Sequence, residues 1–150
     1  MKRSAGILPY RFRDGKLQVF LGHLGGPFWA RKRRSWGIIK GEIEENESPL
    51  QAAKREFLEE TGQQVEGELI DLGEVCTKSK CNHIFAIEAD LPEKVHSNKV
   101  RMHLGEKELT FPEIDRVRWM DIDEARERII ASQQPFLERL VQVAQASERS

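Results

Sequence analysis

The sequence predicts an α/β domain in which helices cover both faces of a mixed sheet, and three observations point there. β-rich segments punctuated by turn residues open the chain, a capped helix with one apolar face follows, and strand candidates then give way to two more helices. Ser4 to Arg13 and Leu17 to Leu24 read as strands around Asp14-Gly15, a hairpin turn, and Gly25-Gly26-Pro27 ends the second. A loop carrying Arg31-Lys32-Arg33-Arg34 leads into a strand near Trp36 to Ile39. Ser48-Pro49-Leu50-Gln51 reads as a helix N-terminus, with a serine cap, a proline at the first helical position and a glutamine three residues after the cap. Gly62 supplies its stop. Further strands are predicted over Val65 to Val75, His83 to Ala89 and Arg116 to Met120, and Lys99 to Phe111 is read as a hairpin around Gly105. The aspartates of Asp121-Ile122-Asp123 cap a short helix, and Pro135 opens a longer one whose stripe of Phe136, Leu137, Leu140, Val141 and Ala144 faces the core. Ser147 to Ser150 is expected to fray.

A chain of 150 residues fits one domain, residues 1–150, large enough to bury a core without staples. Its 24 basic and 25 acidic residues nearly cancel, so no overall charge draws it to nucleic acid or membrane, and neither partner is expected. Met1 to Pro9 lacks the apolar run of a signal sequence and no stretch approaches a membrane span, which predicts a cytoplasmic protein. Cys76 and Cys81 are too few for a disulfide framework and are expected as reduced thiols, while the four histidines are scattered and form no site.

The capped helix carries the chemistry. At 100° per residue Leu50, Ala53 and Phe57 share one face, and Glu56, Glu59 and Glu60 lie on a neighbouring one. These acids repel one another by a few tenths of a kcal/mol per pair, near a helix end whose dipole favours cations by roughly 0.3–1 kcal/mol each. Magnesium removes both penalties, since it takes carboxylate oxygens and bridges to substrate phosphates. The competing reading is a solvated helix face in which Arg55 pairs with Glu59.

The surrounding pattern weighs against that reading. Gly41, Glu47, Arg55, Glu56, Glu59, Glu60 and Gly62 occupy every fixed position of the Nudix box, a glycine, five residues, a glutamate, seven residues, then Arg-Glu-x-x-Glu-Glu-x-Gly. Phe57 and Gln63 stand where that family usually has aliphatic residues, and Ile39 where many members carry proline. Ala5 to Arg11, Gly25 to Ala30, Phe111 to Arg116 with Trp119, and Gln134 to Leu137 extend the resemblance to a bacterial subgroup of nucleoside triphosphate pyrophosphohydrolases. The sequence therefore resembles the Nudix hydrolases over nearly its whole length.

That resemblance implies an α/β/α sandwich with a loop-helix-loop metal site, and hydrolysis of a phosphoanhydride in a nucleoside diphosphate linked to another group. It implies magnesium, or manganese in its place, on Glu56, Glu59 and Glu60 with the backbone carbonyl of Lys40. Glu47 and Arg55 would brace the box loop, and Gly41 and Gly62 would shape it. The general base is Glu56 or Glu113, the latter being otherwise an ordinary loop acid. Arg31, Lys32, Arg33 and Arg34 either hold substrate phosphates or form a solvated loop. The expected small-molecule substrate is a nucleoside triphosphate first and a dinucleoside polyphosphate second. A non-catalytic nucleotide sensor is the reading from another class. Oligomeric state is open.

Overall fold

Alternation along β1 (Lys2–Arg13) builds two cores at once. Ala5 and Ile7 point to one face and join Phe20, Ala53, Phe57 and Trp119, whereas Leu8 and Tyr10 point to the other and join Trp36, Phe136, Leu137 and Leu140. The structure, a computed structural model, describes residues 1–149. Alongside β1 stand β2 (Lys16–Leu24), β3 (Trp36–Gly37), β4 (Ile39–Glu42), β5 (Leu69–Cys76), β6 (Lys80–Glu88), β7 (Lys99–Leu104), β8 (Lys107–Pro112) and β9 (Ile114–Asp121). The helices are α1 (Pro49–Thr61), α2 (Ile122–Arg128) and α3 (Gln134–Arg149), with a 3-10 turn over Ala131–Gln133.

The sheet is mixed. β1 runs parallel to β6, with Ala5 beside His83, and antiparallel to both β2 and β4. Those two strands share its length, β2 taking Tyr10 to Arg13 and β4 taking Ser4 to Ile7. β9 extends the sheet beyond β2 and β5 extends it beyond β6. Helix α1 packs Ala52, Ala53 and Phe57 on one face, α3 packs Phe136, Leu137, Leu140 and Ala144 on the other, and the result is the expected α/β/α sandwich.

Several local expectations change. The predicted strand from Trp36 to Ile39 is interrupted at Ile38, whose N–H donates to the side-chain oxygen of Gln133 at 2.8 Å in place of a ladder partner. The strand expected from Val65 begins only at Leu69, because the chain before it turns through Gly67 at φ 123°. α3 continues to Arg149 where fraying was expected from Ser147, and Ser150 lies outside the described residues. The cysteines are also corrected. The β5–β6 hairpin sets Cys76 directly opposite Cys81, and the two form a disulfide. Five residues apart in sequence, they are cross-strand neighbours once the hairpin closes. Among the described residues no helix is long and apolar enough to cross a membrane.

Phe57, fully buried between α1 and the sheet, fills the aliphatic position of the box motif. Phe57→Ala should lower unfolding free energy by ~3–5 kcal/mol through reduced burial and the cavity left behind. A urea titration checks this, and a decrease below ~1 kcal/mol would mean that the helix does not depend on this side chain.

Candidate active site

Helix α1 begins and ends as its sequence dictates. Ser48 accepts from the Gln51 N–H at 3.1 Å, Gln51 accepts in return from the Ser48 N–H at 2.8 Å, and Gly62 closes the helix at φ 72°. This fixes the rotation of α1, and Arg55 then fixes the loop before it. Its guanidinium donates to both Glu47 oxygens at 2.8 and 3.0 Å, to the Glu42 carbonyl at 2.9 Å and to Glu56 Oε1 at 2.8 Å. Glu47 also accepts from the Glu44 N–H at 3.0 Å. The Arg55 hydrogen bonds hold the Glu47 carboxyl down at about 2, so it is ionised at any working pH.

Gly41 is required by the carboxylate beside it. A Cβ there would come within 2.0 Å of the Glu56 side-chain carbon, so only glycine lets Glu56 lie against β4. Glu59, by contrast, projects outward and reaches Arg55 at 3.4 Å. Glu60 points inward and is 1% exposed. Burial is the main cause that pushes its carboxyl up to about 7, with the neighbouring Glu113 and Glu56 carboxylates adding to it and the Ser97 hydrogen bond opposing it. Glu56 is raised too, by burial first, against the pull of Arg55.

A segment that gave no clear pattern in the sequence holds this arrangement in place. The Ser97 hydroxyl donates to Glu60 Oε2 and accepts from the Ile114 N–H at 2.9 Å. Nearby, the His96 N–H donates to the Glu60 carbonyl at 2.7 Å, and the Gln63 amide donates to the carbonyls of Pro92 at 3.1 Å and Lys94 at 3.4 Å. Gln63 therefore departs from the family pattern with a structural consequence, since an aliphatic side chain would remove both bonds and leave the Pro92 carbonyl with only the Lys94 N–H, at 2.8 Å. The Glu113 N–H donates to the Asn98 carbonyl, and the Glu113 carbonyl accepts from the Gly25 N–H, both at 2.9 Å. Gly25 has no room for a side chain, because a Cβ would meet the Pro112 carbonyl oxygen at 1.9 Å. Glu113 thus stands in an anchored loop facing the box helix.

These residues fit a hard divalent cation. Glu60 Oε1 is buried without a hydrogen-bond partner, and burial first, with repulsion from neighbouring carboxylates second, has raised both Glu60 and Glu56. Glu56, Glu60 and Glu113 offer oxygen donors, and the Lys40 carbonyl lies on the strand just before Gly41. These three carboxylates do not gather within 4.8 Å of one another, as among the described residues only Glu74, Cys76 and Cys81 do, so a cation would draw them together. The Lys40 amine is itself shifted down, by burial first and then by Lys80.

A cleft of about 290 Å³ adjoins this site and is lined by Trp29, Lys40, Lys80, Asn82, Glu113 and Gln133 among others. Asn82 Oδ1 is buried there without a partner, while Gln133 is fixed through its oxygen to Ile38 and turns its amide nitrogen away from that bond. Neither residue stood out in the sequence. The basic run divides: Arg34 donates to the carbonyls of Arg126 at 3.0 Å and Ile129 at 2.9 Å, closing the end of α2, whereas Arg31, Lys32 and Arg33 line a separate cavity.

The sequence profile of the NUDIX domain matches residues 2–140, and the chain belongs to the Nudix hydrolase family. It is 29% identical to the RNA pyrophosphohydrolase of Rickettsia prowazekii over 90% of this chain and 87% of that protein. It is 36% identical to an octanoyltransferase of Myxococcus xanthus over 63% of this chain, spanning a quarter (25%) of that longer protein. Among solved structures, a binary complex of the Caenorhabditis elegans Ap4A hydrolase superposes with a TM-score of 0.69 at 20% identity, covering 97% of this chain and 99% of that one. That likeness confirms the fold.

Metal-free protein should lose stability as pH rises from about 4.5 to about 7, because the folded state keeps on Glu60 a proton that the unfolded chain has released. Below that window the contribution is fully present, and above it the contribution is gone. Urea unfolding across this range in chelator should show a shallower decline for Glu60→Gln, and parallel curves for the two proteins would contradict the assignment. Ser97→Ala should weaken manganese binding by ~10–100-fold, as removal of a group that orients a ligand does. Calorimetric titration measures this, and unchanged affinity would show that Ser97 does not orient Glu60.

Proposed function

We propose that the domain is a magnesium-dependent pyrophosphohydrolase acting on nucleoside triphosphates. The observation that carries this reading is the buried, unpartnered Glu60 oxygen, set beside Glu56 and Glu113 on a helix whose entry is braced by Arg55 and Glu47. Glu56, Glu60 and the Lys40 carbonyl would hold the cation, and Glu59, which here reaches outward to Arg55, would join them by turning inward. A divalent ion bound there supplies positive charge to crowded phosphate oxygens and orients the substrate for in-line attack.

The protein's own groups do the rest. Arg55 keeps Glu47 and Glu56 in place and takes no part in the chemistry. Glu113 is the better general base of the two candidates, since Glu56 is tied by Arg55 while Glu113 lies at the mouth of the adjoining cleft. Its carboxylate would take the proton of the attacking water. The nucleoside would enter the cleft between Trp29, Asn82 and Gln133, with the Lys40 and Lys80 amines beside the phosphate path. An RNA 5′ end carries the same triphosphate, and the similarity to RNA pyrophosphohydrolases favours it as a second reading. A pure sensor would have no use for the full acid set.

A panel of nucleoside triphosphates, diadenosine tetraphosphate and nucleotide sugars, assayed with magnesium or chelator, tests the proposal. Wild type should cleave at least one only with metal, and Glu60→Gln should lose more than the ~10–100-fold typical of residues that merely orient a ligand. A folded wild type that binds nucleotides and cleaves none would favour the sensor.

A further inference from the structure

The second cavity, about 380 Å³, opens on the other side of the loop between β2 and β3. Trp29, Gly37 and Ile38 line the cleft described above, whereas Ala30 to Arg33 and Trp36 line this one, so the two share a wall. Its charge is one-sided. Arg31, Lys32, Arg33, Arg116 and Arg128 face it, against the single carboxylate of Glu127. Arg33 reaches Glu127 at 3.3 Å and Arg128 reaches Glu124 at 3.5 Å, but Arg31, Lys32 and Arg116 enter no ion pair among the described residues. Gathering unpaired cations costs free energy that an anion would recover.

The floor is built. His23 and Ser35 are 6% and 2% exposed, and His23 is held through Nδ1 by Asp115 at 2.8 Å. Arg116 lies 5.3 Å from the Trp36 ring centroid. Phe28, 59% exposed, lines neither cavity but touches one residue of each, with Trp29 edge-on at 4.9 Å and the Lys32 amine 3.6 Å above its ring. Cations beside one exposed aromatic, Phe28, and one half-buried one, Trp29, suit a single-stranded nucleotide chain, whose phosphates meet the cations while a base stacks. The net charge of -1 conceals this because the acids are gathered elsewhere.

We propose that this cavity binds phosphate groups of the substrate that lie outside the anhydride being cut, and that Phe28 and Trp29 stack the base beside them. The inference rests on the reading of the acidic site as one that cuts nucleotide anhydrides. Two sources carry such phosphates: an RNA strand continuing from its first nucleotide, and the second nucleotide of a dinucleoside polyphosphate.

The test combines binding and turnover. Fluorescence anisotropy of a 5′-monophosphorylated hexaribonucleotide in chelator reads the cavity without catalysis, and Arg31→Ala/Arg116→Ala should weaken binding at least ~10-fold. The slope of log affinity against log salt should fall by roughly 0.7 for each phosphate that the variant no longer neutralises. Phe28→Ser, at an exposed position that cannot disturb the core, should weaken binding roughly fivefold or more, and Arg31→Lys/Arg116→Lys should restore part of the affinity. With magnesium, the double alanine variant should lose at least ~5-fold more kcat/KM on a 5′-triphosphorylated hexamer than on ATP. An excess loss on diadenosine tetraphosphate instead upholds the cavity and makes the second nucleotide its ligand. Equal hexamer affinity in all variants, with equal losses across substrates, overturns the proposal while leaving the hydrolase reading intact. Hexamer binding that disappears in the variants of a protein that cleaves nothing upholds the cavity and removes the hydrolase.

Discussion

One guanidinium decides where the acids of this domain sit. Arg55 spans Glu47, the Glu42 carbonyl and Glu56, so the loop from β4 to α1, the start of the box and the first of its helix carboxylates are positioned by a single planar fork. A lysine at that position would lack the planar fork that meets Glu47, the Glu42 carbonyl and Glu56 in these directions at once. The clamp works only because Gly41 lets Glu56 close against the strand, and because the capping box fixes the rotation of α1. The repulsion among the acids is thereby confined to a geometry in which a cation is the natural counter-charge.

A second constraint comes from the far side of the carboxylates. Between β6 and β7 the chain is tied by Trp119 Nε1 to the Leu91 carbonyl at 2.8 Å, by Gln63 to Pro92 and Lys94, and by the pair of bonds around Glu60. These polar bonds, most of them to backbone, add direction to a segment whose Leu91 and Val95 also pack against the core. Ser97 commits one Glu60 oxygen and leaves the other open.

The box was legible in the sequence because all of its spacing is local. Capping residues, helical periodicity and the glycine stop need only neighbours a few positions away, and the seven motif residues run without a break from the end of β4 through one loop to the cap of one helix. What stayed hidden is nonlocal. Ser97 meets Glu60 across 37 positions of sequence, from an irregular segment without periodicity. Asn82 and Gln133 come from distant parts of the chain and acquire meaning only as two walls of one cleft. The cysteines looked isolated because hairpin register, which places them opposite each other, is a property of pairing and not of spacing. The basic run read as one unit, yet Arg34 turns inward to helix carbonyls while its neighbours do not.

Gly25 joins the loop that walls both cavities to the loop that carries Glu113, through its N–H and through a steric fit against Pro112, and Gly26 repeats that fit against the Phe111 ring at 2.5 Å from a built Cβ. The loop proposed for recognition and the acid proposed as base therefore hang from a common joint. Exchanging the β2–β3 loop to redirect this scaffold toward a new nucleotide would also move the acid opposite the box helix, unless both glycines came across unchanged. A grafted specificity is transferable here only as a matched pair of segments, Gly25 to Ser35 together with Phe111 to Asp115.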